Sequence, residues 1–386
     1  MPPINPLVAA IETPPIPEAH AWAARYDGRH GPLLDMCQAV PGWSPHPEML
    51  AHAARAAQDP AHAKYGLIPG DLPLRQAYAE DISRTYGGEI TPDQVAITAG
   101  CNQAFFLTIM TLAQRGDSIL LPLPWFWNHQ QTCAMLGIEP RPLPCRPENA
   151  FVPDPDDAAK LIDRTTRAIV LISPNNPTGA VYPPETIACF QALCAQRGIT
   201  LILDETYRDF LPENQPRSHT LFTDPAWPEH LIQLYSFSKS YCVPGHRLGA
   251  VTAAAPVVEQ FAKVLDCLHI CPNRSVQTAL TWAIPNLQDW RAQNRATINA
   301  RAEAVRAAFQ RLPDWQIESL GAYFAYIRHP GTSAPAMAEH LATTLGIVGL
   351  PGTAFGPAQN THLRLAFANL DLEGITQLAQ RLEKRK

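Results

Sequence analysis

Lys239 sits in the run YSFSKSYCVPGHRLG, from Tyr235 to Gly249, with two serines, Ser236 and Ser238, just before it. Eight residues past the lysine, beyond a Pro244-Gly245 turn, comes Arg247. A neutral lysine amine is a nucleophile that condenses with an aldehyde to a Schiff base. Hydroxyls beside a guanidinium are what a phosphate needs, neutral donors plus a bidentate cation. An aldehyde and a phosphate on one small molecule describe pyridoxal phosphate. Taken alone, the run fits a strand end with a solvated Lys and Arg equally well.

The partners such a cofactor requires follow the same order in the chain. A pyridinium ring acts as an electron sink only beside a carboxylate. The segment ITLILDETY supplies Asp204 after a buried-strand run, and Tyr207 three residues later. Asn176, in SPNNPTG after the run Ala168 to Ile172, can donate with Tyr207 to the phenolic oxygen.

Together PNNPTG, DETY, SFSK and GHRLG resemble the motifs of the class I/II pyridoxal-phosphate aminotransferases, fold type I and aspartate aminotransferase-like. The resemblance covers nearly the whole chain. It implies an α/β fold, with a large domain built on a mostly parallel sheet covered by helices on both faces, plus a smaller α+β domain. The implied reaction moves an amino group between an L-amino acid and a 2-oxo acid. In it Lys239 binds the cofactor and shuttles the α-proton, and Asp204 keeps the ring nitrogen charged.

Other residues take roles by their place in this series. A glycine turn that feeds a helix start offers free N–H groups to an anion, so Gly100, Cys101 and Asn102 form the expected phosphate cup. Cys101 stands where the family commonly has a small hydroxyl residue, so its backbone N–H is the expected contact. Phe126 is the expected aromatic face for the ring, with Trp125 and Trp127 as competitors. In HLRLAFA, alternation would allow Arg364 a solvent face or a buried salt bridge. The resemblance instead implies that it binds the substrate carboxylate, helped by backbone groups near Ala39 and Val40. It also implies that Tyr65 reaches the phosphate of a neighbouring subunit, hence a homodimer with a shared active site.

The rest of the composition is compatible. The chain has 386 residues, 46% hydrophobic and 17% charged, which suits a globular protein with a large core. A net charge of −5 gives no reason to expect nucleic acid or an anionic membrane as partner. Nine cysteines without CxxC pairs suit reduced thiols and a cytoplasmic location. No stretch reads as a signal peptide or membrane span, and no metal site is expected.

Strands and helices alternate through 138–144, 156–163, 168–172, 184–197, 199–204, 231–236 and 247–253, a βαβ rhythm whose motifs fall at the carboxyl ends of strands. The pattern changes after about residue 284. The expected division is a cofactor-binding domain over 46–284 and a small domain from 1–45 and 285–386. Within the latter, a helix runs from Asp289 to Arg311, and GAYFAYIRHP reads as one strand. Helix 334–344, strands 346–350 and 363–367, and helix 371–384 complete it. A lyase, decarboxylase or cyclase on the same scaffold is the alternative activity, because the outcome depends on which bond is aligned with the ring. An acidic substrate would want a second cation, and Arg274 is the candidate. Trp22, Trp43 and Phe126 suit an aromatic or apolar side chain, which is the slight preference.

Overall fold

The computed structural model describes residues 2–384. Its strands, in chain order, are β1 (Leu34–Asp35), β2 (Val95–Thr98), β3 (Ser118–Leu123), β4 (Glu139–Pro144), β5 (Thr166–Ile172), β6 (Thr200–Asp204), β7 (Leu231–Ser236) and β8 (Gly249–Thr252). There follow β9 (Gln316–Gly321), β10 (Phe324–Arg328), β11 (Ile347–Val348), β12 (Leu350–Pro351) and β13 (His362–Leu365). Seven of them form one sheet in the order β2-β8-β7-β6-β5-β3-β4. Every pairing from β7 to β4 is parallel, and only β8 runs against its neighbours.

These strands are apolar on both faces, and the period-two alternation of a strand divides them between two cores. Ile169, Leu171, Leu201 and Leu203 join one apolar cluster. Their in-between neighbours Ala168, Val170 and Ile202 join another on the opposite face. Helices such as Pro184–Arg197 and Cys101–Leu112 supply the covering layers. One end of the sheet therefore collects every segment that leaves a parallel strand.

A second, four-stranded sheet has the order β12-β13-β10-β9 and is antiparallel throughout. Phe324 to Ile327, Leu363 and Leu365 build its core with Trp22, Leu34 and Met36 from the N-terminal segment. The parallel pair β1-β11 ties that segment down. The long helix spans Gln288–Phe309 and contacts Leu372–Glu383.

GAYFAYIRHP carries one strand, β10 from Phe324, which pairs in a hairpin with β9, closing at Gly321. The turn is made by Ala322 at φ 44°, a conformation usually given to Gly or Asn, so composition did not announce it. The helices Ala255–Leu268 and Arg274–Asn286 also stand where the sequence reading assigns no element. Among the described residues no helix is long and apolar enough to cross a membrane.

Candidate active site

Beyond the carboxyl ends of the parallel strands lies a cavity of about 540 Å³, where open α/β sheets bind ligands. Several strands each hand one segment to it. The turn after β2 delivers Cys101 and Asn102, the turn after β3 Phe126 and Trp127, and that after β5 Asn176. Asp204 is the last residue of β6 with Tyr207 beyond it, and Ser236, Ser238 and Lys239 continue from β7. Arg247 comes from the turn before β8, Arg364 from β13, and Ala39 and Val40 from the N-terminal segment.

The lysine is one of the strongly perturbed groups among them. Its Nζ donates to the Ala39 carbonyl. Burial, then the nearby Arg364 and Arg247 guanidinium groups, lower its pKa to about 8. A surface lysine near 10.4 is almost wholly protonated at neutral pH, whereas this one keeps an appreciable neutral fraction. Labelling with an amine-directed reagent in cofactor-free protein should therefore give Lys239 an apparent pKa near 8, and Arg364→Gln should raise it. A value near 10 in both proteins would refute the effect.

Asp204 is held from two sides. The Thr206 N–H (3.0 Å) and hydroxyl (2.7 Å) donate to Oδ1, and His129 Nε2 lies 3.4 Å from Oδ2. His129 is buried and stacked on Phe105. Sequence reading gave this histidine no role at the site, since only the fold brings it to Asp204. Its signal was its place in the first turn of the helix Trp127–Met135, three residues after Phe126. The neighbouring Glu205 points away, into a buried set with Tyr86, Ser218, His219 and Gln233. Burial works against its charge, but His219 and Arg208 outweigh it and hold the carboxyl at about 2.

Arg364 is 2% exposed and has no carboxylate partner among the described residues. Nη1 donates to Asn176 Oδ1 at 3.0 Å and Nη2 to the Cys37 carbonyl, while Nε is unpartnered. Rings of Phe324, Phe355 and Trp127 lie 4.9–5.5 Å from its centre. Burial lowers its pKa to about 10. A buried guanidinium without an anion is costly unless an anionic ligand completes it.

The residues expected to form a phosphate cup converge as well. Gly100 caps the helix Cys101–Leu112 with φ 88°, and a Cβ there would lie 2.3 Å from Arg247 Nη2. The positive φ favours glycine at this helix start, while the flexible guanidinium end beside it can shift. Arg247 is exposed and, among the described residues, bonded only to the Pro244 and Ala99 carbonyls. Ser236 Oγ accepts from the Ser238 N–H.

Other expected residues have different surroundings. Val40 N–H donates to Asn369 Oδ1 at 3.1 Å, and the Ala39 carbonyl is taken by Lys239. Tyr65 is 77% exposed and borders a separate concavity. Arg274 is there too, paired to Asp71 and donating to the Ala61 carbonyl. Trp22 packs in the core and Trp43 lies under Arg301, neither lining the cavity. Trp125 borders a different concavity, whereas Trp127 stands beside Phe126 in this one.

The profile of the family described as aminotransferase class I and II matches residues 33–382. The chain belongs to that family. It is an aminotransferase, and the family uses pyridoxal phosphate. Among its relatives, an aspartate aminotransferase of Pyrococcus horikoshii is 30% identical over 343 residues, covering 88% of this chain and 87% of that one. Aromatic-amino-acid aminotransferase 2 of Thermococcus litoralis is 26% identical, covering 88% of each. A single mutant of the Thermus thermophilus aspartate aminotransferase superposes with a TM-score of 0.91 at 26% identity, over all of both chains. Such relatives favour amino transfer over the lyase, decarboxylase or cyclase alternative.

Proposed function

We propose that this aminotransferase takes L-amino acids with an aromatic or apolar side chain, in a cavity where Lys239, Asp204 and Arg364 hold pyridoxal phosphate and substrate. The observation that carries the reading is the buried Arg364, lacking a carboxylate of its own and sharing a cavity with an amine whose pKa is about 8.

The donor set suits the cofactor. Asp204 would face the ring nitrogen, and Asn176 and Tyr207 the phenolic oxygen. The N–H groups of Cys101 and Asn102, the hydroxyls of Ser236 and Ser238, and Arg247 would hold the phosphate. When bound, the cofactor supplies an electron sink for charge developing on the substrate's α-carbon. Arg364 grips the substrate carboxylate with its fork and fixes where the α-carbon lies. Lys239 Nζ takes the α-proton and returns it, a transfer its lowered pKa suits near neutral pH. His129 and Thr206 keep the Asp204 carboxylate in place.

The substrate preference rests on the cavity wall. Ile16, Val40, Phe126 and Trp127 line it. Its three cations among the described residues, Lys239, Arg247 and Arg364, already have roles, and Arg274 is tied to Asp71 outside it. Single-turnover incubation with an amino-acid panel and no acceptor tests this. One equivalent of 2-oxo acid per site, fastest from aromatic or apolar substrates, is expected. Continuous release of ammonia or carbon dioxide would refute amino transfer, and fastest reaction with aspartate would refute the preference.

A homodimer fits the face around Tyr65, where Leu67 (52% exposed) and Leu72 (48%) are also bare. Sedimentation should give twice the 42.4 kDa chain mass, and a fully active monomer would exclude a shared site. We place the enzyme in the cytoplasm on its unpaired cysteines.

A further inference from the structure

His20, Asp35 and Cys37 come together on the outer side of the active site, though no sequence motif joins them. Their ligand atoms lie within 4.8 Å of one another. His20 Nε2 is 3.2 Å from Cys37 Sγ and 3.3 Å from Asp35 Oδ2. Two elements meet here: His20 is on the helix Pro15–Ala23, and Asp35 ends β1. The Cys37 N–H donates to Asp35 Oδ1 at 3.0 Å, which folds the thiol and carboxylate to one side.

We propose that these three side chains form a binding site for a zinc-like divalent cation. Imidazole, thiolate and carboxylate together match a borderline-soft ion rather than calcium or magnesium, which take oxygen ligands. Tetrahedral zinc, with bonds of roughly 2.0 Å to nitrogen and 2.3 Å to sulfur, sets those two atoms about 3.5 Å apart. The observed 3.2 Å is close to that. Binding displaces the thiol proton to solvent and forms the metal–sulfur bond, with no change of oxidation state. Cys37 is fully buried, but the His20 and Asp35 side chains are about half exposed (50% and 47%), so the ion would enter from their side, where water can complete its shell.

Its position gives the ion a consequence for the cavity. The helix that carries His20 also supplies Ile16 to the cavity wall. The Cys37 carbonyl accepts from Arg364, and the Asp35 carbonyl from Asn369, which also holds Val40 N–H. A metal bridge would fasten the helix to the segment that seats Arg364.

The test uses reduced holoenzyme dialysed against zinc, with elemental analysis, and cobalt as a spectroscopic stand-in read by difference spectra. One ion per chain is expected, with visible bands of tetrahedral cobalt and thiolate-to-cobalt charge transfer. His20→Ala and Cys37→Ser should each weaken binding by more than the roughly 10–100-fold cost of losing an outer-shell partner. His20 is exposed, so His20→Ala should fold and remain informative if Cys37→Ser does not. The proposal is overturned if the wild type binds no stoichiometric ion, or if the cobalt spectrum is unchanged in His20→Ala. Survival of the thiolate band in Cys37→Ser would overturn it too, since another cysteine would then be the ligand.

Discussion

Lys239→Ala should lower turnover by about 10⁴-fold or more, because it removes both the proton carrier and the nucleophile. The side chain projects into the cavity and its one polar partner among the described residues is the Ala39 carbonyl. Folding should therefore be little disturbed, and thermal unfolding should confirm that. A small primary amine added to the variant should restore part of the rate, since the truncated side chain leaves room beside Ala39. Borohydride treatment of wild-type holoenzyme should fix the cofactor on a Lys239 peptide, and the variant should yield none. Recovery of the adduct on Lys64 or Lys263 would overturn the assignment. Lys64 follows the turn Pro60–Ala63, and the Lys263 amine donates to Gln260 on its own helix.

Why the chemistry was legible follows from where those residues lie. Asp204 and Lys239 each follow a short, mostly apolar run, Leu201 to Leu203 and Leu231 to Leu234, that is buried on both faces. Such runs leave a visible mark in sequence, and a parallel sheet aligns their carboxyl ends. The second sheet left a fainter one. Its hairpin turns at Ala322 with positive φ, without the Gly or Asn that usually signals such a turn. Contacts between distant segments were invisible for a different reason. His129 meets Asp204, and His20 meets Cys37, through docking of elements whose faces no local period encodes. Phe126, the expected ring face, does line the cavity, with Trp127 beside it and Trp125 at a different concavity.

Arg364→Gln should separate stability from activity. In the free protein the guanidinium is buried and faces no carboxylate among the described residues, and burial lowers its pKa to about 10. That drop corresponds to about 3 kcal/mol against the charged form at neutral pH. The sign follows because a base with a lowered folded pKa carries its charge at a cost below that pKa. Glutamine keeps a donor for Asn176 Oδ1 and removes the charge, so the melting temperature should hold or rise. Activity should move the other way. Removing one partner of a buried charge pair costs roughly 2–5 kcal/mol, so kcat/KM should fall about 30- to 4,000-fold. Most of the loss should appear in KM if Arg364 grips ground state and transition state alike. Arg364→Lys retains the charge without the fork and should recover only part of it. If Arg364→Gln lowered the melting temperature by several degrees and left KM unchanged, Arg364 would be a structural cation, and the carboxylate would have to be bound elsewhere.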